Sequence, residues 1–249
     1  MPSVLLVGAG RVAAAILEAI LSHNEFEEIS ICARRMQSAK RLISSYPKEK
    51  NRLQAITSLK NVDADLVILA ASRFTTDDRN RLLKKNPNAP LCQLEAKKNT
   101  ELFLELAPFL ERMNPKQVIV VTNPIAKLVQ LLANKIPKLR PKISGFGLEL
   151  DFIRARKRSQ KVKSVKGTHG QAVFVGLSQR ESEELRERID RWFKDIVSKG
   201  RYPRREISQT FNEFLVLELG KKKGFHHLEV PFGTKVIAKR RKYTGKKRL

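Results

Sequence analysis

The residues Val4-Leu5-Leu6-Val7 carry no polar side chain, end on Gly8, and lead within three residues into Arg11-Val12-Ala13-Ala14-Ala15-Ile16-Leu17, where helical spacing begins. An apolar run that does not alternate suits a strand covered on both faces. A helix that follows at once can carry the chain across a sheet to the next parallel strand. The unit then repeats. Apolar runs at 3–8, 28–33, 65–72 and 117–124 are separated by helical patterns at 11–22, 36–46 and roughly 95–112, with the polar stretch 73–85 after the third run. The alternation predicts an α/β chain whose parallel sheet lies between two layers of helix.

The rhythm changes near residue 145. Residues 148–158 read as a helix, 164–176 as a β-hairpin region holding the glycine-flanked His169, and 178–197 as an amphipathic helix. Ser178 and Glu181 have the spacing of a capping box. Gly220 is suited to end a helix over 207–220, and short strands are expected within 226–233 and 235–238. Two domains are therefore expected: 1–144, and a smaller α+β domain over 145–249.

Composition narrows the function classes. Hydrophobic residues make up 41% of the 249, enough for a real core. The two cysteines, Cys32 and Cys92, are far apart. They show no metal-ligand spacing, so no metal site is expected, and they suit a reducing compartment. The N-terminus lacks the basic start of a signal peptide, and no apolar run is long enough to span a membrane; a soluble cytoplasmic protein is expected. Fifty Lys plus Arg against 25 Asp plus Glu give +25. Such a field draws anions: nucleotides, dicarboxylates or nucleic acid. The excess is uneven. Residues 154–166 hold seven basic groups and no acid, and residues 221–249 hold eleven basic groups and one acid, Glu229.

Gly8-Ala9-Gly10-Arg11-Val12-Ala13 lies between the first strand and the first helix. Gly8 permits the tight turn, Gly10 lets a pyrophosphate approach the backbone, and the small Ala13 allows close helix–sheet packing. The helix N-terminus then faces the anion. A dinucleotide site follows, with Arg11 and Val12 as its further backbone contacts. A site for NAD usually has an acid at the end of the second strand, for the ribose hydroxyls. Here the second run ends Ile31-Cys32-Ala33-Arg34-Arg35. Arg34 and Arg35 would attract a 2′-phosphate, so NADP is favoured over NAD.

Four further pieces occur in order: Arg73 and Arg79 after the third run, Val121-Thr122-Asn123-Pro124, Gly145-Phe146-Gly147-Leu148-Glu149-Leu150-Asp151-Phe152-Ile153-Arg154, and Gly167-Thr168-His169-Gly170. Together with the glycine loop they resemble the lactate/malate dehydrogenase family over about residues 3–176. The resemblance implies a Rossmann dinucleotide-binding domain, a substrate domain, and hydride transfer between the cofactor and a small dicarboxylate or 2-ketoacid. His169 would be the acid/base, and Asp151 its partner. Arg154 would hold the substrate C1 carboxylate, and Arg79 would polarise the carbonyl. Asn123 would hold the substrate oxygen near the nicotinamide, and Arg73 would receive a second carboxylate, as in malate enzymes. Ala71 and Asn123 would border the cofactor. A homodimer or homotetramer is implied.

These residue types suit the chemistry without the family. Hydride addition to a ketone builds negative charge on oxygen, which an imidazolium and a guanidinium offset. Asp151 and Arg154, three apart, share one helix face. The chain also departs from the family. Its arginine-bearing loop is short, and Thr168 and Gln171 replace an acid before the histidine and an Asp-Ser after the second glycine. The usual long C-terminal helix is replaced by a basic ending. Ser208 or Thr210 would supply the small hydroxyl of the substrate pocket, and His23, His226 and His227 are structural or surface residues. The alternative reading is a non-catalytic relative whose basic surface binds nucleic acid or an acidic partner.

Overall fold

Val4–Val7 forms β1 with all four side chains buried, and Gly8–Gly10 connects it directly to α1, Arg11–Leu21. The structure is a computed structural model that describes residues 2–74, 76–86, 91–199, 201–246 and 249, with the backbone alone at 76, 77, 79, 80, 83 and 91–94. The repeat continues through β2 (Ile29–Cys32), α2 (Met36–Ser44), β3 (Leu53–Ile56), β4 (Leu66–Leu69), α3 (Thr76–Lys85), α4 (Leu91–Met113), β5 (Gln117–Val120), α5 (Ile125–Lys135) and β6 (Ile143–Gly145). Then come α6 (Leu148–Arg158), β7 (Ser164–Lys166), β8 (Val173–Val175), α7 (Gln179–Ser198), α8 (Arg204–Glu218), β9 (Lys223–Phe232) and β10 (Lys235–Thr244).

The main sheet runs β10-β9-β6-β5-β4-β1-β2-β3. Its six strands from β6 to β3 are all parallel. Chain order reverses between β1 and β4, which opens a crevice beyond the carboxyl ends of those strands. One apolar layer joins Leu6 and Ile31 to Ile16, Leu17 and Ile20 of α1 and to Phe211, Phe214 and Leu215 of α8. Burying each of those phenylalanines contributes roughly 1.5–3 kcal/mol. The other layer joins Leu5, Val67 and Val120 to Phe103 and Leu128. A third cluster, with Leu148, Val165, Phe174 and Leu185, sits under α6, α7 and the separate β7–β8 pair.

Four features depart from the expected elements. The polar stretch 73–85 holds α3, whose helical spacing is masked by a run of charged residues. Strand β3, Leu53-Gln54-Ala55-Ile56, is a four-residue, half-exposed strand interrupted by a glutamine, and β6 is only three residues long. The two short C-terminal strands are ten residues each. Their lysine-rich ends pair fully across the hairpin, and Gly233, at φ +56°, supplies the left-handed residue of its two-residue turn. Through Gly145↔Glu229, β9 adds antiparallel to β6 and extends the main sheet.

Two local expectations appear in detail. Ser178 and Glu181 exchange both capping-box bonds at the start of α7. Gly220, at φ +71°, follows α8. The Gly220 N–H donates to Leu217 O at 3.1 Å and the Lys221 N–H to Val216 O at 3.0 Å, a Schellman ending.

Candidate active site

The glycine loop is shaped by close approach on one side and open space on the other. Gly8 has φ +125°, and a Cβ there would lie 2.8 Å from the backbone of Ala70 and Ala71. A Cβ on Gly10 would meet nothing within 4 Å. Gly10 caps α1 without a side-chain bond, and no acid stands in the first turn. The space beside Gly10 is thus open and the first turn of α1 carries no carboxylate, as an anion site at a helix N-terminus requires. Ala13 is fully buried, Val12 half-buried and Arg11 exposed. The Gly8 N–H donates to Cys32 O at 2.8 Å, and two residues beyond Cys32 the exposed Arg34 and Arg35 begin the turn into α2.

The carboxyl ends of β5 and β6 carry the second half of the site. Thr122 Oγ1 donates to Ala71 O at 2.7 Å, tying the loop after β5 to the loop after β4. Asn99 of α4, fully buried, ties them again. Its Nδ2 donates to Asn123 O at 2.7 Å, and its Oδ1 accepts from Arg73 N at 2.9 Å and Ser72 Oγ at 3.1 Å. The Asn123–Pro124 peptide is cis.

Asp151, in the first turn of α6, lies 2.9 Å from His169 Nδ1 through Oδ2. The same oxygen accepts from the Gly170 N–H at 3.2 Å. The histidine loop needs its glycines: Gly167 and Gly170 have φ +89° and +78°. Gly147 makes room for the ring, because a Cβ there would lie 2.7 Å from His169 Cγ and 2.5 Å from Ile125 Cδ1. Burial works against protonation of His169, but the charge and hydrogen bond of Asp151 outweigh it, and its pKa is raised.

A second carboxylate reaches the same loop. Glu229 of β9 is fully buried, and its Oε1 accepts from the His169 N–H at 3.0 Å. Its Oε2 is buried and has no hydrogen-bond partner among the described residues. Burial pushes Glu229 up to about 7, against the opposing pull of His169. A carboxyl raised in the fold binds a proton that the unfolded chain has lost, so stability falls as pH rises from its ordinary 4.5 towards 7. Glu229→Gln removes that loss. Its unfolding free energy relative to wild type should climb across this window by about 3 kcal/mol, read by urea titrations at several pH values. A difference independent of pH would show that Glu229 does not titrate there.

The arginines are already engaged. Arg154, with 6% of its side chain exposed, donates from Nε to Glu206 Oε1 of α8 at 2.7 Å. Its guanidinium stacks on Phe193 and Trp192 at 5.4 and 5.7 Å. Arg73 pairs with Glu105 of α4. Arg79 falls in α3, and its side chain lies outside the described residues. The structure thus brings His169, Asp151 and Gly147 together and places Gly8, Gly10, Ala71 and Asn123 along the carboxyl ends of adjoining strands. It turns Arg154 to Glu206 and Arg73 to Glu105.

Glu229, Glu206 and Asn99 escaped the sequence reading. Glu229 did leave a signal, as the single acid of a basic tail. Of the expected hydroxyls, Thr210 Oγ1 donates to the Glu206 carbonyl at 2.8 Å, and Ser208 lines a crevice beside Tyr46 and Arg204. The remaining histidines are all buried. His23 Nε2 lies 2.7 Å from Asn212 Oδ1. His227 Nδ1 lies 2.6 Å from Glu149 Oε2. His226 stacks on Phe146, and burial pushes its pKa down to about 4. Among the described residues no group of three or more His, Cys, Asp or Glu could hold a metal ion, and no helix is long and apolar enough to cross a membrane.

Comparison with known proteins adds three findings. Residues 1–107 match the shikimate/quinate 5-dehydrogenase family model. No curated protein sequence matches the chain. Among solved structures, malate dehydrogenase from Plasmodium falciparum superposes with a TM-score of 0.76 at 15% identity, covering 98% of this chain and 88% of that one. Malate dehydrogenase from Salinibacter ruber superposes with a TM-score of 0.69 at 19% identity, covering 96% and 85%. At such identities the likeness is one of architecture, and the chain has the Rossmann-type α/β fold of these two enzymes.

Proposed function

We propose that this protein is a nicotinamide-nucleotide-dependent 2-hydroxyacid dehydrogenase, with malate and oxaloacetate as its best substrates. The carrying observation is the pair His169 Nδ1–Asp151 Oδ2, 2.9 Å apart, in a loop packed on Gly147 just beyond β6. The residues at the glycine loop fit a dinucleotide: open space at Gly10, an uncapped helix start without an acid, and two exposed arginines after β2. When bound, the nicotinamide supplies or accepts the hydride.

The chain does the rest. Asp151 holds Nδ1, so Nε2 is the nitrogen that faces substrate. In reduction, His169 as imidazolium gives its Nε2 proton to the substrate oxygen; in oxidation, the neutral ring takes it back. Asp151, bonded to Nδ1, stabilises the imidazolium. Arg154 receives the C1 carboxylate. Among the described contacts only its Nε–H is engaged, and an arginine has five donors. Arg73 receives the second carboxylate by leaving Glu105, an exposed pair worth only about 0–1 kcal/mol.

The test is spectrophotometric oxidation of NADPH and NADH with oxaloacetate and pyruvate. Turnover is expected with oxaloacetate, with a KM for NADPH about tenfold below that for NADH, the scale of one extra charge-assisted contact. Arg34→Ser with Arg35→Ser should erase the difference. A lower KM for NADH would overturn the NADP preference, and absence of turnover with every 2-ketoacid would overturn the dehydrogenase reading.

A further inference from the structure

We propose that the β9–β10 hairpin, around Phe225, is a binding surface for single-stranded nucleic acid. The two most basic stretches of the sequence, 154–166 and 221–249, are brought together in the fold, because β10 packs against β7. The register of the hairpin sorts its side chains. Phe225 lies opposite Lys242 and His227 opposite Arg240, so Phe225, Lys242 and Arg240 share one face, with Lys223 at its end. Phe225 is 47% exposed, and the Arg240 guanidinium lies 4.1 Å from its ring centroid. Lys223, Arg240 and Lys242 are all exposed.

The same face continues inward to His227 and Glu229, both buried. The single acid of residues 221–249 is therefore spent on the His169 loop, and the hairpin itself contributes cations and one aromatic ring, but no carboxylate, to the outer part of the face. A π-face ringed by cations is how proteins hold single-stranded nucleic acid: bases stack and phosphates are neutralised, without sequence readout. A lipid surface would instead call for several apolar side chains on one face. Within the hairpin the other exposed large apolar residues, Phe232 and Ile237, lie on its opposite face. This surface is independent of the dehydrogenase reading.

The experiment is fluorescence anisotropy of labelled oligo(U) with the full chain over a series of salt concentrations. Phe225→Leu keeps apolar bulk but removes the ring, and should weaken binding about tenfold. Arg240→Gln with Lys242→Gln should weaken it further and reduce the salt slope by about two. Lys48→Gln with Lys50→Gln, exposed beside β3 at the other edge of the sheet, should change affinity less than twofold. Thermal melts establish that each variant is folded. Three results would overturn the proposal: no binding by wild type at low salt, equal loss in the Lys48/Lys50 control, or unchanged affinity in Phe225→Leu. Binding to phosphatidylserine vesicles with the same dependence on Arg240 and Lys242 but none on Phe225 would assign the surface to lipid instead.

Discussion

His169→Asn should lower turnover of oxaloacetate by about 10²–10⁴-fold, the range of a lost general acid, while leaving the fold intact. The amide of asparagine can still donate to Asp151, and the Glu229 bond to the backbone N–H at 3.0 Å does not depend on the side chain. Steady-state rates and a thermal melt read the two parts separately. Asp151→Asn supplies the pH signature. The carboxylate raises the His169 pKa, so its loss should move the whole titration to lower pH. Ketone reduction needs the protonated ring and falls as pH rises through that pKa; alcohol oxidation needs the neutral ring and rises through it. Both curves should shift down together in Asp151→Asn. A wild type without activity would count against the proposed function, whereas an active His169→Asn would count against His169 alone.

Arg154→Ala should be the most destabilising single change near the site. It leaves Glu206, only 13% exposed, without its arginine, and breaking a buried ion pair from one side costs about 3–5 kcal/mol. For a chain of this size that is a fall in Tm of roughly 6–20 °C. Lys157 Nζ, 3.5 Å from Glu206 Oε2 but exposed, offsets little of this. The double change Arg154→Met with Glu206→Leu should recover most of the loss, because an apolar pair of similar volume is often as stable as the buried ion pair. A methionine also suits the faces of Trp192 and Phe193. Calorimetry on the two variants decides it; a double variant no more stable than Arg154→Ala would show that the aromatic stack, rather than the stranded charge, sets the cost. Glu206→Gln keeps an acceptor for Nε–H but removes the competing charge, and should lower the KM for a 2-ketoacid.

The parallel half of the sheet was legible because its strands need no alternation: Val4–Val7 and Leu66–Leu69 are apolar throughout and buried throughout. The glycine loop was legible because Gly8 and Gly10 sit between a strand and a helix, where backbone freedom has a purpose. The Asp151–His169 contact has no local signature. Eighteen residues separate the two, and only likeness to a family of motifs joined them. Glu229 lies between two apolar residues, Leu228-Glu229-Val230, and nothing local says that this part of β9 will be covered by the loop of His169. Glu206 was overlooked for Ser208 and Thr210 because a surface acid beside arginines is commonplace, and its reach to Arg154 depends on how α8 crosses α6. Strand β6 was too short to register; its partners on both sides define it.

The pairing of the first helix with the last one has a consequence during synthesis. Ser22 and His23, at the end of α1, bond to Asn212, 190 and 189 residues later. At ribosomal rates of roughly 5–20 residues per second, α1 waits about 10–40 s for α8. Throughout that interval the apolar side of α1 that will meet Phe211 and Phe214 is open to solvent or to neighbouring nascent chains. A chaperone holding this protein is thus expected to contact its first two dozen residues, and to release them once residue 219 has cleared the exit tunnel.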